Sequence, residues 1–563
     1  MENYSKLSIK QVQGDSLESP FAGKDVCTSG VVTGVLKRGF FLQTPDVEWD
    51  GVSSDAIFVY CPDWEPDLGA VIQVEGEVIN YLKHDTAKPV TQIHMQAARP
   101  LKSRDSAGKP LSVTPIEFSQ QLLARDNPAL VKMLNALEGM LVKIHSGQTF
   151  IAPSNPFGDY VLALDSPTAD TSAIRSANNG ALVDKDNHLR WFPGFRITNY
   201  NHAPRVNVGA VLLDDVLGPL NYRADAYQIS QSVPVKVEPA FIGLSKSRFK
   251  PSKGALTVLT LNCFNLDPHI ESAEKVKNPR QDVDDDWGEG RFHTLAQAIV
   301  LQANAPDIVA LQEIQDSDGA ELTEVVDASR TYALLIDAIE ELSQFRYEWV
   351  DVNPVLGADG GQPGGNIRNG YLYNPNRVNL IEKSVTTFGV DDPAFEDSRK
   401  PLLAVFEEQA SRQKLACINL HLASKRHQNS LFAPLDPGVD GKLEVRVAQA
   451  ACVSNMMRDL HQQGLAYYVT GDFNDTEHSA TLATMVADHS VNLVESLPKD
   501  ERYDYNHRGK LQVLMHGLVH KSMESAAQYE IIHGNELLGV TPGEESNKPS
   551  DHAYVIAKLS LAQ

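Results

Sequence analysis

Four apolar, strand-like runs in the second half of this chain each end shortly before a polar side chain. They are LTVLTL (256–261), IVAL (308–311), KLACINL (414–420) and LAYYVT (465–470). A strand that ends in a carboxylate, an amide or an imidazole places that group at the rim of a sheet, where catalytic groups commonly lie on the connecting loops. Because helical segments between the runs do not alternate strictly with them, the pattern predicts two packed sheets with helices outside and a polar site at one rim.

Five short polar clusters form the candidate site. In chain order they are Asn262, Glu313, His421, Asp472 with Asn474, and Asp551 with His552. Carboxylates, amides and two histidines, without a thiol or a serine nucleophile, suit a hard metal ion and a phosphate ester. Each cluster alone also fits a structural role, since GDFND is typical of a strand followed by an Asx turn and SDH of a local Ser/Asp turn. Their joint occurrence is what favours a site.

The motifs LTLNCFN, IVALQEI, INLHLAS, VTGDFND and PSDH, in this order, resemble the endonuclease/exonuclease/phosphatase superfamily, which has the fold of pancreatic deoxyribonuclease. The resemblance covers roughly residues 256–559. It is closest to large bacterial extracellular nucleases with β-rich domains ahead of the catalytic one, on RFHTLAQAIVLQANAPDIVALQEIQD, DGGQPGGNIRNGYLYNPNRV and the final SDH. It implies an α+β, four-layer α/β/β/α sandwich over residues 254–563.

Phosphodiester hydrolysis requires charge neutralisation on the phosphate and a water that is aligned and deprotonated. Glu313 is the best candidate metal ligand, with Asn262 and Asp551 beside it. The expected ion is Mg²⁺, with Mn²⁺ or Ca²⁺ as alternatives. Asp472 is expected to orient and deprotonate the attacking water. These roles match the superfamily pattern at the same motifs.

The phosphate oxygens also need hydrogen-bond donors. Asn474, His421 and His552 are expected to donate to its oxygens, and one histidine could protonate the leaving oxygen. Four further side chains near the motifs are candidate substrate contacts, namely Arg368, Tyr373, Lys425 and Arg426.

One position departs from the resembling nucleases, in which a QVLDH run supplies an Asp that holds the final histidine. Here residues 512–516 are QVLMH, so Met515 stands where that carboxylate is expected. A thioether accepts hydrogen bonds only weakly, which predicts a poorly supported His552. Three nearby side chains could substitute, namely Glu501, Asp504 and His516.

The first half of the chain is β-rich and predicts a multidomain protein. At 563 residues the chain is too long for one core. Residues 1–103 carry the strand rhythm of a small OB-like β-barrel, residues 104–239 that of a second β-rich domain, and residues 240–253 the composition of a linker before the catalytic domain at 254–563. The barrel could bind nucleic acid, with Phe40 or Phe41 stacking on bases, or act as a spacer.

Composition limits the partners. The net charge of −23 argues against bulk electrostatic capture of nucleic acid but does not exclude a nuclease. No apolar run approaches the ~20 residues of a membrane span, and no obligate protein partner is evident. The N-terminus has no apolar core of signal-peptide length, so the chain is expected to be cytoplasmic if Met1 is the native start, and secreted or periplasmic if a signal was removed.

Cysteines and an acidic loop complete the candidates. None of the five cysteines forms a CxxC pair, which argues against a zinc ribbon. Cys263 and Cys417 are expected to be buried, and a Cys27–Cys61 disulfide is possible in an oxidising compartment. The acidic loop DVDDDWGEG (282–290) lacks the full calcium-loop pattern and is expected to be solvated.

The sequence therefore predicts a metal-dependent phosphodiesterase, best described as a nuclease with little sequence preference, and it favours DNA over RNA as the substrate. One alternative is a phosphatase or phosphodiesterase that acts on a small phosphate ester or a phospholipid headgroup. A third is a nucleic-acid-binding protein whose nuclease domain is weakened by Met515.

Overall fold

The computed structural model describes residues 4–83, 88–119, 127–164, 175–183, 191–199, 202–425, 440–487, 489–544 and 548–561. Its first sheet contains β1 (Ser5–Lys6), β2 (Asp25–Leu36), β3 (Gly39–Gln43), β4 (Ala56–Tyr60), β5 (Val71–Tyr81) and β6 (Val90–Pro100), with helix α1 (Ile9–Gln13). The strand order is β1-β2-β3-β4-β6-β5, and β2 also pairs with β5. That last pairing closes β2 to β6 into a five-stranded barrel.

The barrel aromatics are packed inside the protein. Phe40 lies in the barrel core, and Phe41 packs against Phe58 with ring centroids 5.1 Å apart. Both are buried, with exposed fractions of 0% and 2%. The expectation that one of them could stack on bases is therefore wrong. Cys27 and Cys61, for which a disulfide is possible in an oxidising compartment, are free thiols in this barrel.

A second sheet follows the barrel. Its region contains β7 (Ile116–Glu117), α2 (Asn127–Ala136), β8 (Leu141–Ile144), β9 (Thr149–Phe150), β10 (Asp159–Ala163), β11 (Ala181–Leu182), β12 (Gly194–Ile197), β13 (Val211–Leu212), β14 (Val216–Arg223), β15 (Ala226–Gln231) and β16 (Val237–Glu238). The strand order is β16-β13-β9-β10-β12-β15-β14-β8-β7. One apolar core joins this sheet to α2. Strand β11 is not part of it and pairs elsewhere.

Two sheets lie in the last part of the chain. The third sheet contains β17 (Ala255–Leu266), β18 (Ile308–Ile314), β19 (Glu348–Asp351), β20 (Arg368–Tyr373), β30 (Ala527–Ile532) and β31 (Tyr554–Ser560), in the order β19-β20-β18-β17-β31-β30. The fourth sheet contains β21 (Val378–Leu380), β22 (Thr386–Thr387), β23 (Leu402–Glu408), β24 (Lys414–His421), β25 (Ala466–Asp472), β26 (Ser490–Asn492) and β29 (Met515–His520), in the order β21-β23-β24-β25-β29-β26 with β22 on β23. A small sheet has the order β11-β28-β27, with β27 (Tyr505–His507) and β28 (Lys510–Gln512).

The described residues of the last part of the chain contain five α-helices. They are α3 (Pro279–Asp282), α4 (Arg291–Gln297), α5 (Ser329–Ser343), α6 (Leu443–Gln462) and α7 (Ala480–Val486); Ala298–Gln302 continues α4 as a π-helical turn. Short 3₁₀ helices span Glu382–Ser384, Pro393–Phe395, Leu493–Ser496, Lys499–Glu501, Lys521–Ala526 and Asn535–Leu537. In the described residues, no helix has the length and apolar content needed to cross a membrane.

Three apolar cores fix the layer order. One core packs α4 and α5 on the third sheet, the second fills the space between the two sheets, and the last packs α6 and α7 on the fourth sheet. The helix predicted over 291–302 buries its apolar stripe at the expected i, i+3, i+4, i+7 spacing, since Phe292, Leu295, Ala296 and Ile299 are all fully buried. The layers therefore run helix, sheet, sheet, helix, and the rims of the two sheets come together.

Candidate active site

The rim of the third sheet holds Asn262 and Glu313. Strands β17 and β18 are parallel neighbours, and Asn262 lies beside Gln312 in the ladder, so Glu313 follows one residue further on. The register of β18 slips across Glu313 against both neighbouring strands, β17 and β20, and Glu313 adopts a left-handed backbone conformation with φ 56°. Such a conformation costs a non-glycine residue about 1–3 kcal/mol and is typical of functional sites. The irregular strand end therefore turns the Glu313 carboxylate out of the ladder.

The rim of the fourth sheet faces the rim of the third sheet. His421 and Asp472 are paired neighbours at the ends of the parallel strands β24 and β25. His421 Nε2 lies 3.6 Å from Asp472 Oδ2 and 3.8 Å from Glu313 Oε1. Between the sheets, the hydroxyls of Thr260 and Thr470 form a buried hydrogen bond of 2.6 Å. This bond fixes the two sheets against each other directly behind the rim.

The final histidine joins the same group from a tight turn. Ser550 Oγ accepts the backbone N–H of His552 at 3.1 Å, which is the local turn expected of an SDH motif. His552 Nε2 lies 3.8 Å from Asp472 Oδ2 and 3.9 Å from Asp551 Oδ1. Glu313, His421, Asp472 and His552 thus form a chain of neighbouring side chains. Only Glu313 and Asp551 keep more than a few per cent exposure, so the group opens to solvent on their side.

Asp504 holds His552, and this corrects the interpretation of Met515. His552 Nδ1 donates to Asp504 Oδ1 at 2.9 Å, while Asp504 Oδ2 accepts the backbone N–H groups of Leu514 and Met515 at 2.8 and 2.9 Å. The Met515 side chain is fully buried in the core between the two sheets. The carboxylate expected at position 515 is therefore supplied from position 504, and His552 does not lack support.

Burial and charge shift the pKa values of the group in opposite directions. Burial raises the pKa of both carboxyls, Glu313 and Asp472, and nearby Asp551 raises that of Glu313 further. Burial would lower the pKa of His552, but the carboxylates of Asp551, Asp504 and Asp472 outweigh it and raise that pKa to about 10. Burial holds the pKa of His421 well below its usual range, helped by nearby positive charge. One imidazole is thus charged and the other neutral, the separation that acid–base chemistry needs.

The donor set of Glu313, Asn262 and Asp551 fits a hard divalent cation. All three offer oxygen ligands, and Asn262 also hydrogen-bonds to the Glu313 carboxylate. Asp551 Oδ1 is buried and has no hydrogen-bond partner among the described residues. Crowded, desolvated carboxylates repel one another, and a cation would remove that repulsion. These three residues could hold Mg²⁺ at the open side of the group.

A second acidic group lies outside this site. One oxygen each of Asp267, Asp284 and Asp286 lies within 4.8 Å of the others. The expectation of a solvated loop over 282–290 holds for residues 287–289, which are exposed, but not for Asp282 and Asp286, which are 4% and 1% exposed. Burial raises the pKa of Asp267 to about 9 and that of Asp284 to about 7.

Two of the expected substrate contacts are engaged within the protein. The Arg368 guanidinium donates to Asn353 Oδ1 at 2.7 Å and to Asp351 Oδ2 at 3.3 Å, and it is 3% exposed. Tyr373 pairs with the first residue of β18, at the end of the sheet opposite to Glu313, and its hydroxyl donates to Glu348. This placement separates Tyr373 from the rim, so it is not among the side chains that the fold brings together.

The remaining expected contacts lie near Asp472. Asp472 Oδ1 accepts the backbone N–H of Asn474 at 2.8 Å, which ends β25 in an Asx turn, and the Asn474 amide donates to the carbonyl of Leu422 at 3.1 Å. Lys425 forms an ion pair of 3.0 Å with Asp475, the residue after Asn474. Arg426 lies outside the described residues.

Arg399 is a site residue that the motif analysis missed. Its positive charge acts on both Glu313 and His421, and its side chain is 8% exposed. Its guanidinium also donates to the carbonyl of Leu422 at 3.4 Å. The available signal was an arginine three residues before the strand β23, in the segment SRKPLLAVF, on the same rim as the other motifs.

Comparisons with known proteins match parts of the chain. A family described as a domain of unknown function (DUF8508) matches residues 117–238. No curated protein matches the chain. Among solved structures, an endonuclease/exonuclease/phosphatase from Bacteroides vulgatus is 16% identical, covers 55% of this chain and 99% of its own, and has a TM-score of 0.35.

Two further solved structures show the same extent of likeness. The human Nocturnin catalytic domain with bound sulfate is 16% identical, covers 55% of this chain and 96% of its own, with a TM-score of 0.34. The mannosyl-6-phosphatase Bt3783 from Bacteroides thetaiotaomicron is 16% identical, covers 54% of this chain and 98% of its own, with a TM-score of 0.32. At these identities and TM-scores, the activities of those proteins are not carried over to this chain.

Proposed function

We propose that this chain is a divalent-metal-dependent phosphodiesterase that cleaves nucleic acid, with DNA as the preferred substrate. The observation that carries the proposal is the continuous group Asp504, His552, Asp472, His421 and Glu313 at the joined rims of two sheets, with neighbouring atoms 2.9 to 3.8 Å apart. Such a group combines a charged imidazole, a neutral imidazole and three carboxylates, those of Asp504, Asp472 and Glu313. These are the parts that phosphodiester hydrolysis requires.

Asp472 and His552 carry the proton chemistry in this proposal. Burial raises the pKa of Asp472, which makes its carboxylate a stronger base for the attacking water than an exposed aspartate. His552 keeps its proton because three carboxylates surround it, so its Nε2–H can donate to a phosphate oxygen as negative charge develops. Asp504 fixes the imidazole by accepting from Nδ1, which leaves Nε2 directed towards Asp472.

The other side chains bind and orient the phosphate. His421, neutral at physiological pH because its pKa is lowered, can donate from Nε2 between Glu313 and Asp472. Arg399 supplies positive charge on the same side. Bound at Glu313, Asn262 and Asp551, a divalent cation would neutralise charge on the phosphate and leaving oxygen.

The domain arrangement favours a polymeric substrate over a small ester. A closed five-stranded barrel and a nine-stranded sheet precede the catalytic layers, and small-ester hydrolysis needs neither. We propose that the barrel is of the OB type and lies along the path of the nucleic acid. A phosphatase or phosphodiesterase for a small ester or lipid headgroup is the alternative outcome of the test. The third alternative, a weakened nuclease domain, rested on Met515 and loses that support because Asp504 holds His552.

The test is cleavage of defined substrates by the purified chain. Supercoiled plasmid, linear DNA and RNA are incubated with Mg²⁺, Mn²⁺, Ca²⁺ or excess chelator, beside a phosphodiester and a phosphomonoester of p-nitrophenol. We expect DNA cleavage with a divalent ion, none in chelator, and none for His552→Ala. Hydrolysis of the phosphomonoester alone would favour the alternative function, hydrolysis of a small phosphate ester. DNA cleavage that survives His552→Ala would refute the assigned site.

A further inference from the structure

The segment that matches a domain of unknown function reaches the catalytic layers through backbone pairing. We refer to residues 117–238 as the module and to residues 505–512, which form β27, β28 and their turn, as the hairpin. Strand β11 of the module pairs in parallel with β28, and Val183 N donates to the carbonyl of Leu511 at 2.8 Å. The module therefore extends the sheet of the hairpin by one strand.

Side chains of the module and the hairpin fit closely. A Cβ at Gly180 of the module would lie 2.3 Å from Leu511 Cδ1, and a Cβ at Gly509 in the hairpin turn would lie 3.0 Å from Ile151 Cδ1. Leu511 is fully buried in an apolar cluster with Val208 of the module. At both glycines the absence of a side chain is what lets the two parts approach, so the hairpin cannot shift without disturbing the module.

Side-chain hydrogen bonds also join the module to the hairpin and to Tyr503. Asn178 of the module donates to the Tyr503 hydroxyl at 3.3 Å, and Asn506 of the hairpin donates to the carbonyl of Ile151 at 2.9 Å. Tyr503 and Tyr505 are the two neighbours of Asp504 in sequence. The module thus holds the chain on the hairpin and on the residue just before Asp504.

The hairpin in turn sets the position of His552. Asp504 N donates to the carbonyl of Gln512 at 3.0 Å, and Asp504 Oδ1 accepts from His552 Nδ1. The Tyr505 ring stacks on the His552 ring with centroids 4.7 Å apart and planes inclined by 27°. The imidazole is therefore held at one nitrogen and on one face by two consecutive residues at the start of the hairpin.

A second connection reaches the backbone of His552. Asn535 Nδ2 donates to the carbonyl of His552 at 3.1 Å. Two residues later, Leu537 accepts the backbone N–H of Val208, and the next glycine, Gly539, donates to Asn207 Oδ1 at 2.9 Å. The module therefore contacts both segments that bracket the imidazole.

We propose that the module is a positioning domain of the active site: it clamps the hairpin so that Asp504 and Tyr505 hold His552 in its working orientation. The proposal rests on the proposed phosphodiesterase function for its kinetic consequence, but the orientation of His552 can be measured without any activity. Displacements on the order of 1 Å of a catalytic group can reduce turnover ~10²-fold, so a remote domain can control the rate without touching substrate.

The test substitutes one glycine of the module in the full chain. Gly180→Ala places a methyl group against Leu511, whereas the control Gly243→Ala makes the same change where nothing lies within 4 Å of the new Cβ. We expect Gly180→Ala to lower kcat about 10- to 100-fold with KM changed by less than about twofold, because substrate contacts are retained. Gly243→Ala should match the natural protein.

A spectroscopic readout separates positioning from activity. The ring N–H signal of His552 in protein with ¹⁵N-labelled histidine, assigned by its loss in His552→Ala, should move or broaden in Gly180→Ala and stay in Gly243→Ala. If Gly180→Ala does not fold, Tyr503→Phe decides instead, since it removes only the hydroxyl that accepts from Asn178. A folded variant with unchanged kcat and unchanged signal overturns the proposal. If the natural protein cleaves nothing but the signal still moves, the proposed function fails and the positioning role stands.

Discussion

Asp504→Asn is the sharpest perturbation that the site offers, because it changes one charge and almost no volume. Asp504 Oδ2 accepts two backbone N–H groups, from Leu514 and Met515, which need an acceptor at that point. The amide oxygen of the new asparagine must therefore take the Oδ2 position. Its NH₂ group then faces His552 Nδ1, where the natural protein has an acceptor.

The consequence for His552 is the loss of its Nδ1 proton and, with that proton, of its positive charge. Nδ1 must accept from the new amide, so the imidazole becomes neutral. The lost hydrogen bond between charged groups is worth about 1.5–3 kcal/mol, a factor of about 10–150 in rate. In the best-known analogous arrangement, the Ser-His-Asp triad, the same Asp-to-Asn change costs about 10⁴ in kcat. We therefore expect kcat to fall about 10²- to 10⁴-fold with KM nearly unchanged.

The assay is single-turnover and steady-state cleavage of DNA with saturating Mg²⁺, combined with thermal unfolding. Because both backbone donors keep an acceptor, the unfolding free energy should fall by no more than the worth of the lost charged hydrogen bond, about 3 kcal/mol. Met515→Leu is the matched control from the same strand junction, since a volume-conserving core change usually costs under about 1.5 kcal/mol and should leave kcat unaltered. A folded Asp504→Asn protein with at least half of the natural kcat would refute the role of Asp504.

Four further predictions follow from the same geometry. Glu313→Gln should abolish cleavage or sharply raise the Mg²⁺ requirement, and full activity of the natural protein in excess chelator would contradict a metal-dependent reaction. Arg399→Met should lower kcat/KM about 10- to 150-fold, the worth of one charged hydrogen bond, with partial retention in Arg399→Lys; equal activity of all three proteins would exclude Arg399 from the site. Met515→Asp should lower Tm and not raise turnover, because it buries a carboxylate in the apolar core between the sheets. Unchanged Tm with faster cleavage would instead show that His552 lacks support because Met515 stands where a carboxylate is needed. Burial raises the pKa of Asp267 to about 9 and of Asp284 to about 7 from a usual 3.8, so the folded chain keeps protons that the unfolded chain releases. That stabilisation is full at low pH and is lost as pH rises through those values, so Tm in chelator should decline from about pH 5 to 9 and decline less in Asp284→Asn; a flat profile would argue against it.

The placement of polar residues at the ends of paired strands could be predicted from the sequence. Apolar runs of strand length place the following polar residue at a rim, and parallel strands end on the same side of a sheet. His421 and Asp472 illustrate this, because each ends its strand and the two strands pair in register. Helix 291–302 was accessible for the same reason, since its apolar spacing is a local property of the chain.

Features that depend on strand direction or on distant loops could not be predicted from the sequence. Tyr373 was expected in the site because it follows Arg368 on one strand, but β20 runs antiparallel to β18, which carries Tyr373 to the opposite rim. Arg399 lies three residues before β23, but this local signal does not show that its charge acts on Glu313 and His421, which depends on the tertiary fold. Strand direction and loop path are global properties, and a single sequence does not encode them in any local pattern.

Asp504 was one of three candidate substitutes for the carboxylate missing at position 515, but the sequence could not single it out as the partner of His552. Position 515 has the expected strand context, so local alignment to the resembling nucleases locates the missing carboxylate there. Position 504 lies in an irregular segment whose path is set by the hairpin and, through Leu511 and Tyr503, by a separate domain. A carboxylate held on such a segment is as well placed as one on the strand only while that domain stays in contact. The supporting carboxylate lies on a loop instead of a strand, and the module beside the hairpin holds that loop in place. Loss of the module's contacts should therefore change the orientation of His552 before it unfolds the protein.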